Sequence, residues 1–373
     1  GLYMLSGDAH SLVLGWKEMI RCNQAQSGIW REVVARNAPH MVQAVGYNRL
    51  SVIQPVTHQT TPWPSLLFGF LSVSIWYNVI NQFMIQRVLG AKNIWHARMG
   101  IVLAGYMKVI MPLLVVVPGL ILFAKYPEVM SLPWDEIRPE ADKGYIHMLK
   151  TLVPVGLRGL FLAALFGAIQ STVNSVLNST ATIVTLDIYK RSIRPHAEDR
   201  HLVRVGVWTS VVILIISIVF GRYINVFKGS LFVYIQALYA FFAPPFAAVF
   251  LLGILWKRIN GKGATAAVGA GFGFGILMKL YVQFAETPVG WITPYSIQAI
   301  VNWVFCALVC VGVSLLTAPP CPEQVTDQLT INWRRLNLFE GLGERWYHSV
   351  VLWWGIFVVL VVVLVLVFSG AVL

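Results

Sequence analysis

Apolar runs of about twenty residues or more recur along this chain, and a helix of that length crosses the roughly 30 Å hydrocarbon core of a bilayer. They lie near Ser65–Val88, Gly100–Tyr126, Val155–Tyr189, Val203–Val226, Ser230–Trp256, Ala264–Phe284, Ile297–Leu316 and Val350–Phe368. Only 12% of the residues are charged, against 57% hydrophobic, so no domain-sized soluble stretch is left over. A membrane β-barrel needs short alternating segments, whereas these runs are continuous. The sequence predicts an all-α integral membrane protein with about eight transmembrane helices in the lipid bilayer.

The formal charge of +12 does not point to nucleic acid, because the basic residues crowd the ends of the apolar runs. Lys190, Arg191, Arg194, Arg200 and Arg204 fill one short loop, and Lys257, Arg258 and Lys262 fill another. The loop around Glu286–Pro294 has no Lys or Arg, so the basic loops are read as cytoplasmic and the first helix as entering from outside. Polar connections are expected over Arg21–Pro64, Pro127–Leu149 and Pro319–Tyr347. The first residue is Gly, and Gly1–Ile20 reads as neither a signal peptide nor a span, so the chain is expected to begin inside a longer sequence. Cys306 and Cys310 stand one helical turn apart with no second ligand pair, which favours packing over a metal site. No Ser-His-Asp set, paired carboxylates or His/Cys cluster falls at membrane depth, so no enzyme chemistry is expected.

One apolar helix carries a polar seam. Ser171, Ser175, Asn178 and Thr182 recur at steps of four, three and four, so they share a face. Lipid offers no hydrogen bonds, so such a face needs partners. Hydroxyl and carbonyl oxygens are hard donors that suit a small hard cation, and the seam reads as part of an ion path.

Other polar groups stand at similar depth. Lys108 is ten residues beyond Arg98, or about 15 Å along a helix, which strains snorkelling and favours a buried partner. Gln236 suits a sugar hydroxyl, and equally suits contact between helices. Trp76 and Tyr77 lie far from either helix end, beside Asn81, Gln82 and Gln86, so that helix must line a cavity or a protein contact. Asp187 is expected to pair with Lys190 or Arg191. Pro244-Pro245 predicts a kink or break, and the glycines from Gly261 to Gly275 predict close helix packing.

Five runs in order resemble the sodium:solute symporter family, in its sodium/glucose cotransporter branch. They are residues 75–93 (Ile-Trp-Tyr-Asn-Val-Ile-Asn-Gln-Phe…), Gly105-Tyr-Met-Lys-Val-Ile-Met-Pro112, Gly156-Leu-Arg-Gly-Leu-Phe-Leu-Ala-Ala164, the run Asn178–Lys190, and Ala243-Pro-Pro through Ala264. The resemblance implies a LeuT-like inverted-repeat transporter fold, present in part, with substrate and ion near the midplane. Residues 65–256 would be the second five-helix repeat, 257–373 accessory helices, and 1–64 a remnant of the preceding core with an extracellular connection; the first repeat, an N-terminal half, would be missing. By matching position the sodium ion would be held by Ala168, Ser171 and Thr172, with Ser175 at a possible second sodium. The sugar or polyol would contact Ser74, Lys108 and Gln236, with Tyr77 as the inner gate. Asn78 stands where glucose carriers often place Trp. The expected function is sodium-coupled symport of a sugar or polyol at the plasma membrane. The alternatives are symport of an amino acid, a carboxylate or sialic acid, or a sensor that does not transport.

Overall fold

The computed structural model describes the chain except residues 1, 8–9, 38–50, 57, 59–60, 223–230, 328, 334–344 and 370–373. The described residues are helical with connecting turns. In chain order the helices of eight residues or more are α1 (Leu12–Asn37), α2 (Ser65–Ile80), α3 (Gln82–Leu89), α4 (Ile94–Lys125), α5 (Trp134–Asp142), α6 (Gly144–Leu152), α7 (Val155–Ile193), α8 (Asp199–Arg222), α9 (Leu231–Leu255), α10 (Gly261–Phe284), α11 (Tyr295–Leu316) and α12 (Val350–Val367). Seven of these are long and apolar enough to span, and α2 with α3 makes an eighth if counted as one bent span. The expected helix ends at Val226 and Ser230 lie outside the described residues.

Helix starts follow side-chain capping. Asn93 Oδ1 accepts from the His96 amide at 3.0 Å, Asn260 Oδ1 from Gly263 at 2.9 Å and Ser349 Oγ from Leu352 at 3.2 Å, each satisfying a donor that the first helical turn leaves free.

The core sits where α9, α10 and α11 pack together, with α2 laid against α9 and α11. Gly263, Gly271 and Gly275 of α10 are buried, and a side chain at Gly271 would run into Cys306 Sγ and Pro245. Small residues bring helices this close, as the glycine run predicted. Cys306 and Cys310 are buried in the same seam as packing residues. Elsewhere α12 lies on α4, tied by the Tyr106 hydroxyl donating to the Trp353 carbonyl at 2.8 Å.

Four expectations change. The stretch from Arg21 to Asn37 is helix rather than polar connection, because Asn23 and Gln26 turn inward: Asn23 Nδ2 donates to the Leu120 carbonyl at 3.0 Å and Gln26 Nε2 to that of Ala124 at 3.2 Å. Residues 127–149 form a 3₁₀ turn and the helices α5 and α6. The double proline does not break α9, which runs as one helix from Leu231 to Leu255 with Ala243, Pro244 and Pro245 fully buried. Asp187 takes no part in the ion pairs of the described residues, which join Arg21 to Glu18, Lys143 to Glu140 and Lys257 to Asp327.

Candidate functional site

The sharpest irregularity lies between α2 and α3. Asn81 leaves the helix with φ −66° and ψ 121°, its side chain accepts from the Phe83 amide at 3.4 Å, and the two halves meet at a 50° bend. The five residues before the break, Trp76–Ile80, are π-helical, and a π-turn widens the helix and re-aims its side chains.

Those side chains converge on α4 and α9. Lys108 Nζ donates to Asn78 Oδ1 at 2.9 Å and lies 5.7 Å from the centre of the Tyr77 ring. Asn78 Nδ2 in turn donates to the Ser74 carbonyl at 3.0 Å, so Ser74, Tyr77 and Lys108 form one cluster. The Tyr239 ring of α9 stands 6.3 Å from Tyr77 and 5.5 Å from Trp76. Gln236 is three residues before Tyr239 and so on the same side of α9, but its side chain makes no hydrogen bond to the other three among the described residues. The cluster offers an ammonium, amide groups and phenol rings, a mixture that can bond hydroxyls and cover an apolar ring face. Two members, Asn78 as the lysine's acceptor and Tyr239 as the bridging ring, are not singled out as contacts by the sequence; the i, i+3 spacing of Gln236 and Tyr239 was the available signal.

The ion seam runs along α7. Its first part, Val155–Thr182, is unbroken α-helix, and none of its residues from Val155 to Asn178 is buried. Ala168, Ser171 and Thr172 therefore sit on adjacent turns of an exposed face. The Thr172 hydroxyl donates to the Ala168 carbonyl at 3.0 Å and the Ser175 hydroxyl to that of Ser171 at 2.8 Å. Each hydroxyl spends its proton on the helix and keeps its lone pairs outward, which fits a sodium ion better than an anion. The Ser175 oxygen also accepts from Arg87 Nη2 on α3. A guanidinium at that atom opposes a second cation there.

A model of the sodium:solute symporter family matches residues 18–271. The chain is 36% identical over 309 residues to the human sodium/myo-inositol cotransporter, covering 78% of this chain and 42% of that protein. It is 35% identical over 295 residues to the zebrafish sodium/glucose cotransporter 4 (74% and 44%), and 32% identical over 285 residues to the pig sodium/myo-inositol cotransporter 2 (71% and 42%). The chain thus spans less than half the length of these relatives. With its matching family model, its helical membrane-spanning architecture and a polar cluster at a broken helix, this chain belongs to the sodium:solute symporter family.

Proposed function

We propose that this chain is the second repeat, residues 65–256, and the accessory helices, 257–373, of a sodium-driven symporter that carries a polyol or sugar across the plasma membrane. The observation that carries the reading is the cluster at the bend, where Lys108 bonds Asn78 and lies against Tyr77. A lysine held by an uncharged amide keeps donors for a ligand, and it recognises hydroxyls without demanding an anion. Relatives named for myo-inositol and glucose support this class over amino acids or carboxylates.

In this reading Ser74, Tyr77, Lys108 and Gln236 bind the solute, with Tyr77 closing over it from the cytoplasmic side. One sodium is the co-transported cargo, held by the Ala168 carbonyl and the oxygens of Ser171 and Thr172. Ser175 belongs to Arg87 rather than to a second sodium. The first repeat supplies the opposing wall, against which the exposed seam of α7 rests. Entry of each sodium charge down a membrane potential gives about 2.3 kcal/mol per 100 mV, and this drives solute uptake.

The test is uptake of labelled myo-inositol, glucose and galactose into vesicles by the transporter in its complete reading frame, with an inward sodium gradient or with choline at matched osmolarity. Accumulation of one of these in sodium alone is the expected result. Equal uptake in both salts, or none in either, overturns the assignment.

A further inference from the structure

A cavity with polar groups in its walls opens between α7 and α8, away from the cluster at the bend. Its volume is about 380 Å³, and its polar walls are Asn178, Thr182 and Thr185 of α7 with Ser210 of α8. From Ser171 to Thr182 is eleven residues, about 16 Å along the helix, toward the end that carries Lys190 and Arg191.

The chemistry of the walls selects a cation. The Thr182 hydroxyl donates to the Asn178 carbonyl at 2.8 Å and that of Ser210 to the Gly206 carbonyl at 3.1 Å, so both oxygens face the cavity as acceptors. Thr185 is only 6% exposed, yet its Oγ1 has no hydrogen-bond partner among the described residues. A buried hydroxyl without a partner is costly, and it points to an occupant. At Ile183 the helix turns from α to π and stays so to Ile193, which widens it beside the cavity. Asp187 lies on this same π-helical stretch, outside any ion pair of the described residues.

We propose that this cavity is a way-station where a partly hydrated sodium ion pauses between the Ala168–Thr172 site and the cytoplasm. The proposal rests on the reading of α7 as the sodium helix. The volume exceeds a bare ion and leaves room for several waters at about 30 Å³ each. Neutral oxygens hold the ion weakly, and the basic residues beyond, Lys190 and Arg191, favour its departure. Weak binding is what a passage site needs, since an ion held tightly does not leave.

The complete transporter is loaded into vesicles with rising internal sodium, and the internal concentration that halves solute uptake is measured. Thr185→Val keeps the shape and removes the oxygen; the expected result is at least a fivefold rise in that concentration relative to the external sodium half-saturation of the same variant. Thr185→Ser restores it. An unchanged ratio in Thr185→Val overturns the proposal. A second measurement needs no transport: Val207→Cys, on the cavity wall, is labelled from the cytoplasmic side with a cationic thiol reagent, against the parent protein as background. Slower labelling in sodium than in choline supports the way-station, and equal rates overturn it. Loss of sodium-driven uptake in the unaltered transporter would instead count against the symport reading, and the labelling would still report on the cavity.

Discussion

Lys108 shows how one contact changes the meaning of a residue. Read alone, a lysine some 15 Å into a membrane helix is a cost of roughly 2.5–3.5 kcal/mol in search of a reason. Asn78 and the Tyr77 ring supply the reason, since together they hold the ammonium without cancelling its charge. A hydrogen bond to a charged group contributes about 1.5–3 kcal/mol, and about 1.4 kcal/mol is a factor of ten in affinity. Lys108→Ala is therefore expected to raise the solute half-saturation about ten- to a hundredfold with surface expression intact; an unchanged value would remove Lys108 from the site. Outside the membrane, His58 makes a different prediction. It is buried, its Nδ1 accepts from the Thr61 amide at 3.0 Å, and burial lowers its pKa below 6.5. The unfolded chain then takes up the proton first. This local contribution to stability is complete above about pH 6.5 and is lost as pH falls toward the lower folded-state value. The protection factor of the Thr61 amide, its exchange corrected for the intrinsic chemical rate, should fall from pH 7 to pH 5, and His58→Gln should remove that pH dependence.

Elements differ in how plainly their sequences announce them. The spans from α7 to α12 could be read directly, because hydropathy sets both their existence and their length. The bend at Asn81 could not. Nothing in Ile80-Asn81-Gln82 breaks a helix by itself, and the extended ψ is held by an Asn cap that becomes visible only once the chain is folded. Pro244 and Pro245 point the opposite way, since α9 stays continuous through them where local chemistry predicted a kink or a break. The amides of α1 were misread for a similar reason: in sequence they look like a loop, but in the fold they bond carbonyls of α4. Of the candidate site, Ser74, Tyr77, Lys108 and Gln236 were expected from the family resemblance, and the first three lie together in the structure. Their partners Asn78 and Tyr239 depended on the π-turn and on helix placement. The tight seam of α10 against α9 and α11 gives a test at this scale. A side chain at Gly271 meets both Cys306 and Pro245, and overpacking a buried interface costs typically about 1–3 kcal/mol. Gly271→Val should lower the melting temperature in detergent, and Cys306 should then react with maleimide at lower temperature than in the parent. Unchanged Cys306 protection would mean that the helices part easily here.

For the whole molecule, the decisive fact is the contrast between its two halves. The bundle of α9, α10 and α11 is closed, with buried alanines, glycines and cysteines, whereas α7 leaves Ser171, Ser175 and Asn178 along a face that buries none of Val155–Asn178. An apolar face left open needs only lipid, but a hydroxyl and amide seam needs protein or water. On the proposed function, the first repeat is that protein, and sodium is bound where the two meet. An ion coordinated from both sides links them, because it binds the joined form better than either part. The chain produced with an affinity tag should therefore retain co-expressed first-repeat helices of the same transporter, and should retain more of them in sodium than in choline. Ser171→Leu removes an ion donor and leaves the rest of the seam in place, so it should abolish the sodium-dependent part while leaving some sodium-independent association. Retention that ignores both sodium and Ser171→Leu would mean the seam faces water or lipid in the assembled protein, and that the ion is held elsewhere.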